Sequence, residues 1–404
     1  MSAFQGKRIV LGVCGGIAAY KVADLASKLT QAGAQVDVIM TAAAQRFVTP
    51  LTFAALTHRE VRTDLYESWL GENTGHVALA HQAAALVVAP ATANTIARLA
   101  LGLGDDFLSA VALASTAPLL IVPAMEHNMY HHPATQGHLA TLRERGALVM
   151  EPGEGRLASG ATGTGRLPDT PQILGALRVL LGRGGPLAGQ RIVITAGGTQ
   201  EPLDPVRYVG NRSSGQMGWA LAEAALDLGA AVTLIHGPVQ LPPLYGVTAV
   251  RVGTTRDLEA AVRAAVPGAA ALIMAAAPAD YRPAAVAEQK IKKQPGQDTF
   301  TLDMVRNPDI LAGLRALPGT ERLVRVGFAA ETEQLLANAQ SKLAAKGLDL
   351  IVANEATRSI GAPDSAVLLI DQAGVEELGI QPKSATARHI LARVVALLRR
   401  NGSL

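Results

Sequence analysis

At 404 residues, with 49% hydrophobic and 17% charged side chains, the chain can bury more than one large core, and its length predicts two or three domains. A formal net charge of +3 and a 3% aromatic content exclude the basic, base-stacking surfaces of nucleic-acid binders. A single cysteine, Cys14, excludes an internal disulfide or a multi-cysteine zinc site and fits a reducing, cytoplasmic compartment; the start MSAFQGKR carries no signal-peptide pattern, and no apolar run approaches the roughly 20 residues that cross a bilayer.

In chain order, a strand at 8–13, a glycine turn at Gly15 and Gly16 and an amphipathic helix over 17–32 lead to a second strand at 36–40. The rhythm repeats with a helix near 76–84, a buried strand at 86–89, helices near 95–101 and 106–114, a strand at 119–122, a helix over 134–145 and a strand at 147–150. Strands separated by helix-length segments need parallel crossovers, so an open doubly wound sheet is expected, with ligands at the carboxyl ends of its strands. Three loops fall there: CGGIA at 14–18, APATAN at 89–94 and VPAMEHNMY at 122–130. The glycine-rich stretch 153–169 has little to bury. It reads as a linker or as a mobile lid, and Arg156, Arg166 and Asp169 favour the lid.

Residues 181–190, LGRGGPLAGQ, form a linker between a first domain at 1–180 and a second at 191–404. Beyond it the rhythm restarts with a strand at 191–195, a helix at 216–228, a strand at 231–235, a helix at 255–265 and a strand at 270–276. The loop after the first of these strands is not the dinucleotide fingerprint GxGxxG. Pro202 and Pro205 stiffen it, and Asn211, Ser213 and Ser214 precede a helix whose free amides would suit an anion. Capping by the serines explains the same spacing equally well. Asp280 then follows a strand end in AAAPADYRP, and QKIKKQPGQD reads as a flexible basic loop. A strand at 299–305 precedes NPDIL, where Pro308 starts a helix. A strand at 324–328 leads through GFAAET to a helix with Lys342 and Lys346 on one face.

Arginine outnumbers lysine 27 to 9, so the cluster of Lys290, Lys292 and Lys293 marks either a flexible point charge with a task or a solvated basic patch. With Lys342, Lys346, Asp280 and the helix start at Ser213 and Ser214, it supplies what a nucleoside triphosphate needs, although no Walker A sequence occurs. Seven of nine histidines lie in the first 140 residues, but His127, His131 and His132 lack an HExxH-type spacing, and no metal ligands can be assigned. His76, opening a helix, is the better candidate for proton chemistry, beside a merely structural role.

The string TAGGTQEPLDPVRYVGNRSSGQMG, followed by AAAPADYRP, KIKK, NPDIL and GFAAET, resembles the phosphopantothenate-cysteine ligase family. The first half, with GGIAAYK, GHVALA, APATAN and PAMxxxMY, resembles the flavoprotein phosphopantothenoylcysteine decarboxylases. Order and length match the bifunctional bacterial enzymes of coenzyme A synthesis over essentially the whole chain. The resemblance implies an α/β protein of two Rossmann-like doubly wound domains, an N-terminal flavodoxin-like one and a C-terminal nucleotide-binding ligase.

For the ligase half it implies that CTP, with Mg2+, converts 4'-phosphopantothenate to an acyl-cytidylate that the cysteine amine attacks, with Asn211 contacting the intermediate. Ser213, Ser214, Ala276, Asp280, Phe328 and the turn Pro308, Asp309, Ile310 and Leu311 hold the nucleotide. Lys290 closes over the phosphates, with Lys342 and Lys346 on the opposite wall.

For the first half the resemblance implies FMN, with Gly15, Ile17, Thr41, Thr92, Asn94 and Ser109 facing it and His76 as the active-site histidine. Oxidation of the cysteinyl thiol places a C=S group β to the carboxylate, CO2 leaves, and the reduced flavin returns the electrons. Two positions depart from the family pattern. PAMN reads PAME, so Glu126 replaces the substrate-binding asparagine, with Asn128 two residues on; ACG in the lid reads ASG, so Ser159 replaces the proton-donating cysteine. A hydroxyl is a much poorer acid than a thiol. Two readings stay open: a decarboxylase with another proton donor, or an active ligase whose flavin half is a binding or regulatory module. Homo-oligomers, trimeric through the flavin half and dimeric through the ligase half, are also implied.

Overall fold

The computed structural model describes residues 3–66, 75–293, 298–315, 317–331, 333–355, 362 and 364–404. Residues 294–297 of the polar lysine stretch and Thr332 of GFAAET lie outside the described residues. The chain divides into two compact units, Met1–Leu181 and Gly182–Leu404.

In the first unit, β1 (Arg8–Val13), β2 (Gln35–Met40), β3 (Ala85–Ala91), β4 (Leu119–Pro123) and β5 (Leu148–Val149) form one parallel sheet in the order β2-β1-β3-β4-β5. Its helices are α1 (Ala19–Gln31), α2 (Pro50–Thr57), α3 (Gly75–Gln82), α4 (Ala93–Leu101), α5 (Phe107–Ala114), α6 (His127–His131), α7 (Pro133–Glu144) and α8 (Thr170–Gly182). All seven residues of β3 are buried, the unbroken apolar run that a strand covered on both faces requires. Val10, Leu86, Val88 and Ile121 of the strands pack with Ile96 and Leu108 of α4 and α5, each such burial contributing about 1.5–3 kcal/mol. Strand order reverses between β1 and β3, the switch point of a flavodoxin-like sheet, and opens a crevice beyond their carboxyl ends. The glycine-rich stretch is an ordered antiparallel hairpin of β6 (Gly153–Arg156) and β7 (Thr162–Arg166).

The second unit is built on an eight-stranded sheet. Its strands in chain order are β8 (Arg191–Ala196), β11 (Ala231–His236), β12 (Val247–Arg251), β13 (Ala271–Met274), β16 (Val324–Glu331), β17 (Leu350–Glu355), β18 (Asp364–Asp371) and β19 (Gly374–Pro382). Between them, β9 (Gln200–Pro202) pairs with β10 (Tyr208–Gly210), and β14 (Tyr281–Pro283) with β15 (Met304–Arg306), as two short ribbons. The helices are α9 (Gln216–Asp227), α10 (Thr255–Ala265), α11 (Ile310–Gly313), α12 (Leu335–Lys346) and α13 (Lys383–Arg400). The first six sheet strands are parallel and lie in the Rossmann order 3-2-1-4-5-6, reversing between β8 and β13; β18 and β19 extend the edge antiparallel.

Three expectations change. The strand expected over 299–305 shrinks to Met304–Arg306, because its partner is only three residues long and ends in Pro283, which has no N–H for the ladder. Pro308 precedes the helix rather than opening it; Asp309 is the N-cap, its carboxylate accepting from the Ala312 amide at 3.1 Å. Of the 181–190 segment, residues 181 and 182 end α8 and the rest is an ordered turn of the second unit, since Leu187 is buried and its amide donates to Leu228 O at 2.8 Å.

Candidate functional site

Beyond the ends of β1 and β3 a cavity of about 1090 Å³ opens, lined on its sheet side by Gly15, Ile17, Thr41, Thr92 and Asn94. A Cβ on Gly15 would stand 2.3 Å from Ala43 Cβ, so the loop after β1 can lie against the loop after β2 only with glycine there. Thr41 accepts from the Ala44 amide at 3.2 Å and Thr92 caps α4, which fixes both hydroxyls at the rim. Lys21, Arg98, Arg156 and Arg166 also line the cavity, although spacing alone did not mark Lys21 or Arg98. Arg98 is paired with Asp105 and, at 3.5 Å, with Asp106.

Ser109 does not line this cavity; it is buried in a reciprocal capping box with Asp106 at the start of α5. His76 sits half-buried on α3 and does not line the cavity either. Cys14 is fully buried, and that burial pushes its thiol up to about 11, against hydrogen bonding from Thr95 and Thr92. The thiol therefore stays neutral near pH 7 and has no exposed path to a substrate.

The lid side is set by the β6–β7 hairpin. Ser159 lines the cavity from the turn at its tip, where Leu157 N donates to Ala161 O at 2.8 Å and Gly160 N to Leu157 O at 3.0 Å. Its base is tied to the segment after β4: Met125 N donates to Gly165 O at 3.0 Å, and Thr164 N donates to His127 Nδ1 at 3.2 Å. Glu126, between those ties, caps α6 by accepting from Asn128 N at 2.7 Å and Met129 N at 3.3 Å, and it lines the cavity. The Asn128 side-chain amide donates to Glu126 Oε1 at 3.4 Å. His127 and His131 meet at a tilt of 58° with ring centroids 4.5 Å apart; among the described residues no group of three or more His, Cys, Asp or Glu gathers to hold a metal.

In the second unit the switch point between β8 and β13 brings distant segments together. Ala277 N donates to Gly197 O at 2.9 Å, Ala276 N to Thr195 Oγ1 at 3.0 Å, and the Asn211 side-chain amide to Pro278 O at 2.9 Å. A Cβ on Gly198 would stand 2.7 Å from Asn211 O, so glycine permits this approach. The N-cap of α9 is Gly215, at φ +76°, with no side-chain cap; Ser214 Oγ stands 3.5 Å from Gln216 N. Neither serine therefore caps the helix in the usual way.

Asp280 is exposed, and its backbone is held from below by a buried polar network. Asn307 N donates to Asp280 O at 2.8 Å, Asn307 Nδ2 to Ala279 O at 2.9 Å, and Ala279 N to Thr199 Oγ1 at 2.9 Å. Thr255, 3.0 Å from Thr199, donates through its amide and hydroxyl to the buried Glu201 carboxylate at 2.9 and 2.8 Å. Thr199, Glu201 and Asn307 lie inside the quoted ligase strings with no role read for them, and Thr255 lies in none. Phe328 is half-buried on β16, and the two α12 lysines each meet an acid: Lys342 with Glu331 at 2.5 Å, Lys346 with Asp309 at 3.0 Å. Burial opposes ionisation of Asp309, but Lys346 and the Ala312 and Leu311 amides outweigh it and hold the carboxyl below the usual range.

Lys290 is exposed on the segment between β14 and β15. The flexible loop expected there is instead pinned beside that lysine: Ile291 N donates to Asp204 Oδ2 at 3.1 Å, and Arg207 Nη2 donates to Ile291 O at 2.8 Å.

The sequence profile of the Flavoprotein family matches residues 2–181, and that of the DNA/pantothenate metabolism flavoprotein C-terminal domain matches residues 187–398. A coenzyme A biosynthesis bifunctional protein CoaBC of Vibrio vulnificus strain YJ016 is 43% identical over 401 residues, covering 98% of this chain and 100% of its own. Namesakes from Escherichia coli K12 (44%, 96% of this chain and 97% of that one) and Bacillus subtilis 168 (43%, 98% and 99%) are similar over the same span. Among solved structures, the C-terminal domain of a coenzyme A biosynthesis bifunctional protein CoaBC aligns with 54% of this chain and 99% of its own, at 37% identity and a TM-score of 0.46.

Proposed function

The chain belongs to the family of bifunctional coenzyme A biosynthesis proteins, and from that premise we propose how its two halves share the work. It is an enzyme with a flavoprotein decarboxylase half and a ligase half. The observation that carries the residue assignments is that each sheet gathers the loops of its own half at its switch point.

In the ligase half, 4'-phosphopantothenate attacks the α-phosphorus of CTP, releasing pyrophosphate. Cysteine's amine then displaces CMP to form the amide. Mg2+ accompanies the nucleotide. Asp280, Ala276, Phe328 and residues 308–311 hold CTP, and the start of α9 beside Ser213 and Ser214, where Gly215 supplies no side-chain cap, faces the anionic groups. Asn211 donates to the acyl-cytidylate, and Lys290 closes over the phosphates. Lys342 and Lys346 exchange part of their present ion pairs for phosphate oxygens. These charges stabilise the pyrophosphate as it leaves.

In the decarboxylase half, the cavity fits FMN: its volume suits a cofactor of that size, the Gly15 loop admits close backbone approach, and several cations face inward. Bound FMN supplies a reversible two-electron exchange with the cysteinyl thiol. Gly15, Ile17, Thr41, Thr92 and Asn94 hold the cofactor, and Ser109 supports them from the α5 cap. The Glu126 carboxylate accepts from the Asn128 side-chain amide, and Glu126 rather than Asn128 lines the cavity, so the substrate meets an acceptor at that point. Ser159 holds a water on the lid, and that water delivers the final proton. The flavin halves associate as trimers through large exposed apolar side chains, among them Phe47, Leu51 and Leu101, and the ligase halves as dimers.

Purified protein given 4'-phosphopantothenate, cysteine, Mg2+ and CTP should release pyrophosphate, CMP and CO2 and accumulate 4'-phosphopantetheine. A yellow protein that stops at 4'-phosphopantothenoylcysteine would overturn the decarboxylase assignment. Ser159→Cys should raise decarboxylation about tenfold, because a thiol with a pKa near 8.5 donates far better than a lid-held water. An unchanged rate of 4'-phosphopantetheine release would remove Ser159 from the donor position.

A further inference from the structure

We propose that Asp204 is a positioning residue for the ligase reaction: together with Arg207 it clamps the segment that carries Lys290 onto the hairpin that leads into Asn211. The proposal rests on the role given to Lys290 above.

Asp204 lies in the turn between β9 and β10, yet its side chain has no solvent exposure. A buried carboxylate must be compensated by several donors. Oδ1 accepts from the Val206 and Arg207 amides, each at 2.8 Å. Oδ2 accepts from Arg207 Nε at 2.9 Å, from Arg207 Nη2 at 2.5 Å and from Ile291 N at 3.1 Å. Arg207 Nη2 also donates to Ile291 O at 2.8 Å, so one ion pair engages both backbone groups of Ile291. A second tie joins the same segments, Ala287 N donating to Leu203 O at 3.0 Å. Residues 287 and 291 are thereby fixed, and Lys290 stands between them.

Burial does not explain this arrangement. Residues 288–290, 292 and 293 are exposed, so the segment contributes little to any core. The bonds from Asp204 to Val206 and Arg207 already build the turn, whereas those to Ile291 reach across to a segment more than 80 residues later. The hairpin itself continues into Asn211, whose side chain is bonded to Pro278 near Asp280. The clamp therefore puts Lys290, Asn211 and Asp280 in one frame before nucleotide arrives, so ordering entropy is lost on folding rather than on binding. The Arg207 guanidinium, followed by the backbone amides, holds the Asp204 carboxyl well below the usual range despite its burial. The pair is thus ionised near neutral pH.

The test uses the full-length enzyme. Asp204→Asn should raise the KM for CTP at least tenfold while leaving the KM for 4'-phosphopantothenate and for cysteine within twofold. It should also speed tryptic cleavage after Lys290, Lys292 and Lys293. Placed in a Lys290→Ala background, it should change pyrophosphate release by less than twofold, because the clamp acts through that lysine. Ile291→Pro, which removes the bridging N–H and leaves the Asp204–Arg207 pair intact, should reproduce the rise in KM for CTP if Asp204→Asn fails to fold. An unchanged KM for CTP in both variants, or effects that multiply fully with Lys290→Ala, would overturn the proposal. Should Lys290→Ala alone leave pyrophosphate release untouched, the lysine assignment fails, and the tryptic pattern still decides whether Asp204 orders the segment.

Discussion

Lys290→Ala should cut pyrophosphate release from CTP on the order of 100-fold, the scale seen when one preorganised donor is removed from a developing anion. The exposed ammonium stands on a segment whose neighbouring residue is fixed by an ion pair, so its stem starts from an ordered backbone. Lys342 and Lys346 compensate only in part, since each shares its charge with an acid. The loss should be confined to activation. Supplied with preformed acyl-cytidylate, the variant should still make 4'-phosphopantothenoylcysteine at near the parent rate, because amide formation expels CMP and involves no pyrophosphate. Decarboxylation by the same preparation should be unchanged. Lys290→Arg should retain much of the activity, as the charge persists but the fork replaces a point charge. Unaltered pyrophosphate release in Lys290→Ala would contradict the assignment.

The sheets were legible because buried parallel strands write themselves as short unbroken apolar runs. RIVLGV, LVVA and RIVITA stand out beside helices of normal length, and the structure places them at β1, β3 and β8. Periodicity says nothing about short ribbons held by their ends, which is why 299–305 read as one strand although only Met304–Arg306 pairs. The lid posed the same difficulty. Its glycines look like a linker, and the hairpin depends on Met125 and His127, residues set by a different loop.

Site residues were legible when a motif spelled them out and hidden when they act from below. Gly15, Thr41, Thr92 and Asn94 line one cavity, and Asn211 meets the segment before Asp280, as loops at switch points must. Asp204, Thr199 and Glu201 lie inside the ligase string, but nothing local to it shows what they bind. Their work is to satisfy backbone groups of segments 50 to 90 residues away, which only the fold brings near. Ser109 illustrates the converse: a residue read as facing a ligand spends its amide and hydroxyl on Asp106.

Gly165→Ala should reduce decarboxylation by about 100-fold while sparing the ligase. Gly165 has φ +151°, a conformation L side chains rarely adopt, and a Cβ there would stand 2.1 Å from Met125 O. Its own carbonyl accepts from Met125 N, so the lid cannot relieve the clash without breaking the bond that seats its base. The backbone conformation alone costs roughly 1–3 kcal/mol for a residue with a side chain. A hairpin this exposed has little packing to oppose that cost and should tilt away from the wall at Glu126. Displacing Ser159 at its tip by about 1 Å is enough for a loss of that size, because proton delivery demands close approach. Flavin absorbance should stay near the parent value, since Gly15, Thr41 and Thr92 lie on the opposite wall. Gly160→Ala is the control: it also has positive φ, at +86°, but nothing lies within 4 Å of its added Cβ, and it should lose no more than a few-fold. If Gly165→Ala and Gly160→Ala lost equal activity, strain within the hairpin rather than its seat on Met125 would set the rate; if neither lost any, the lid would have no part in decarboxylation.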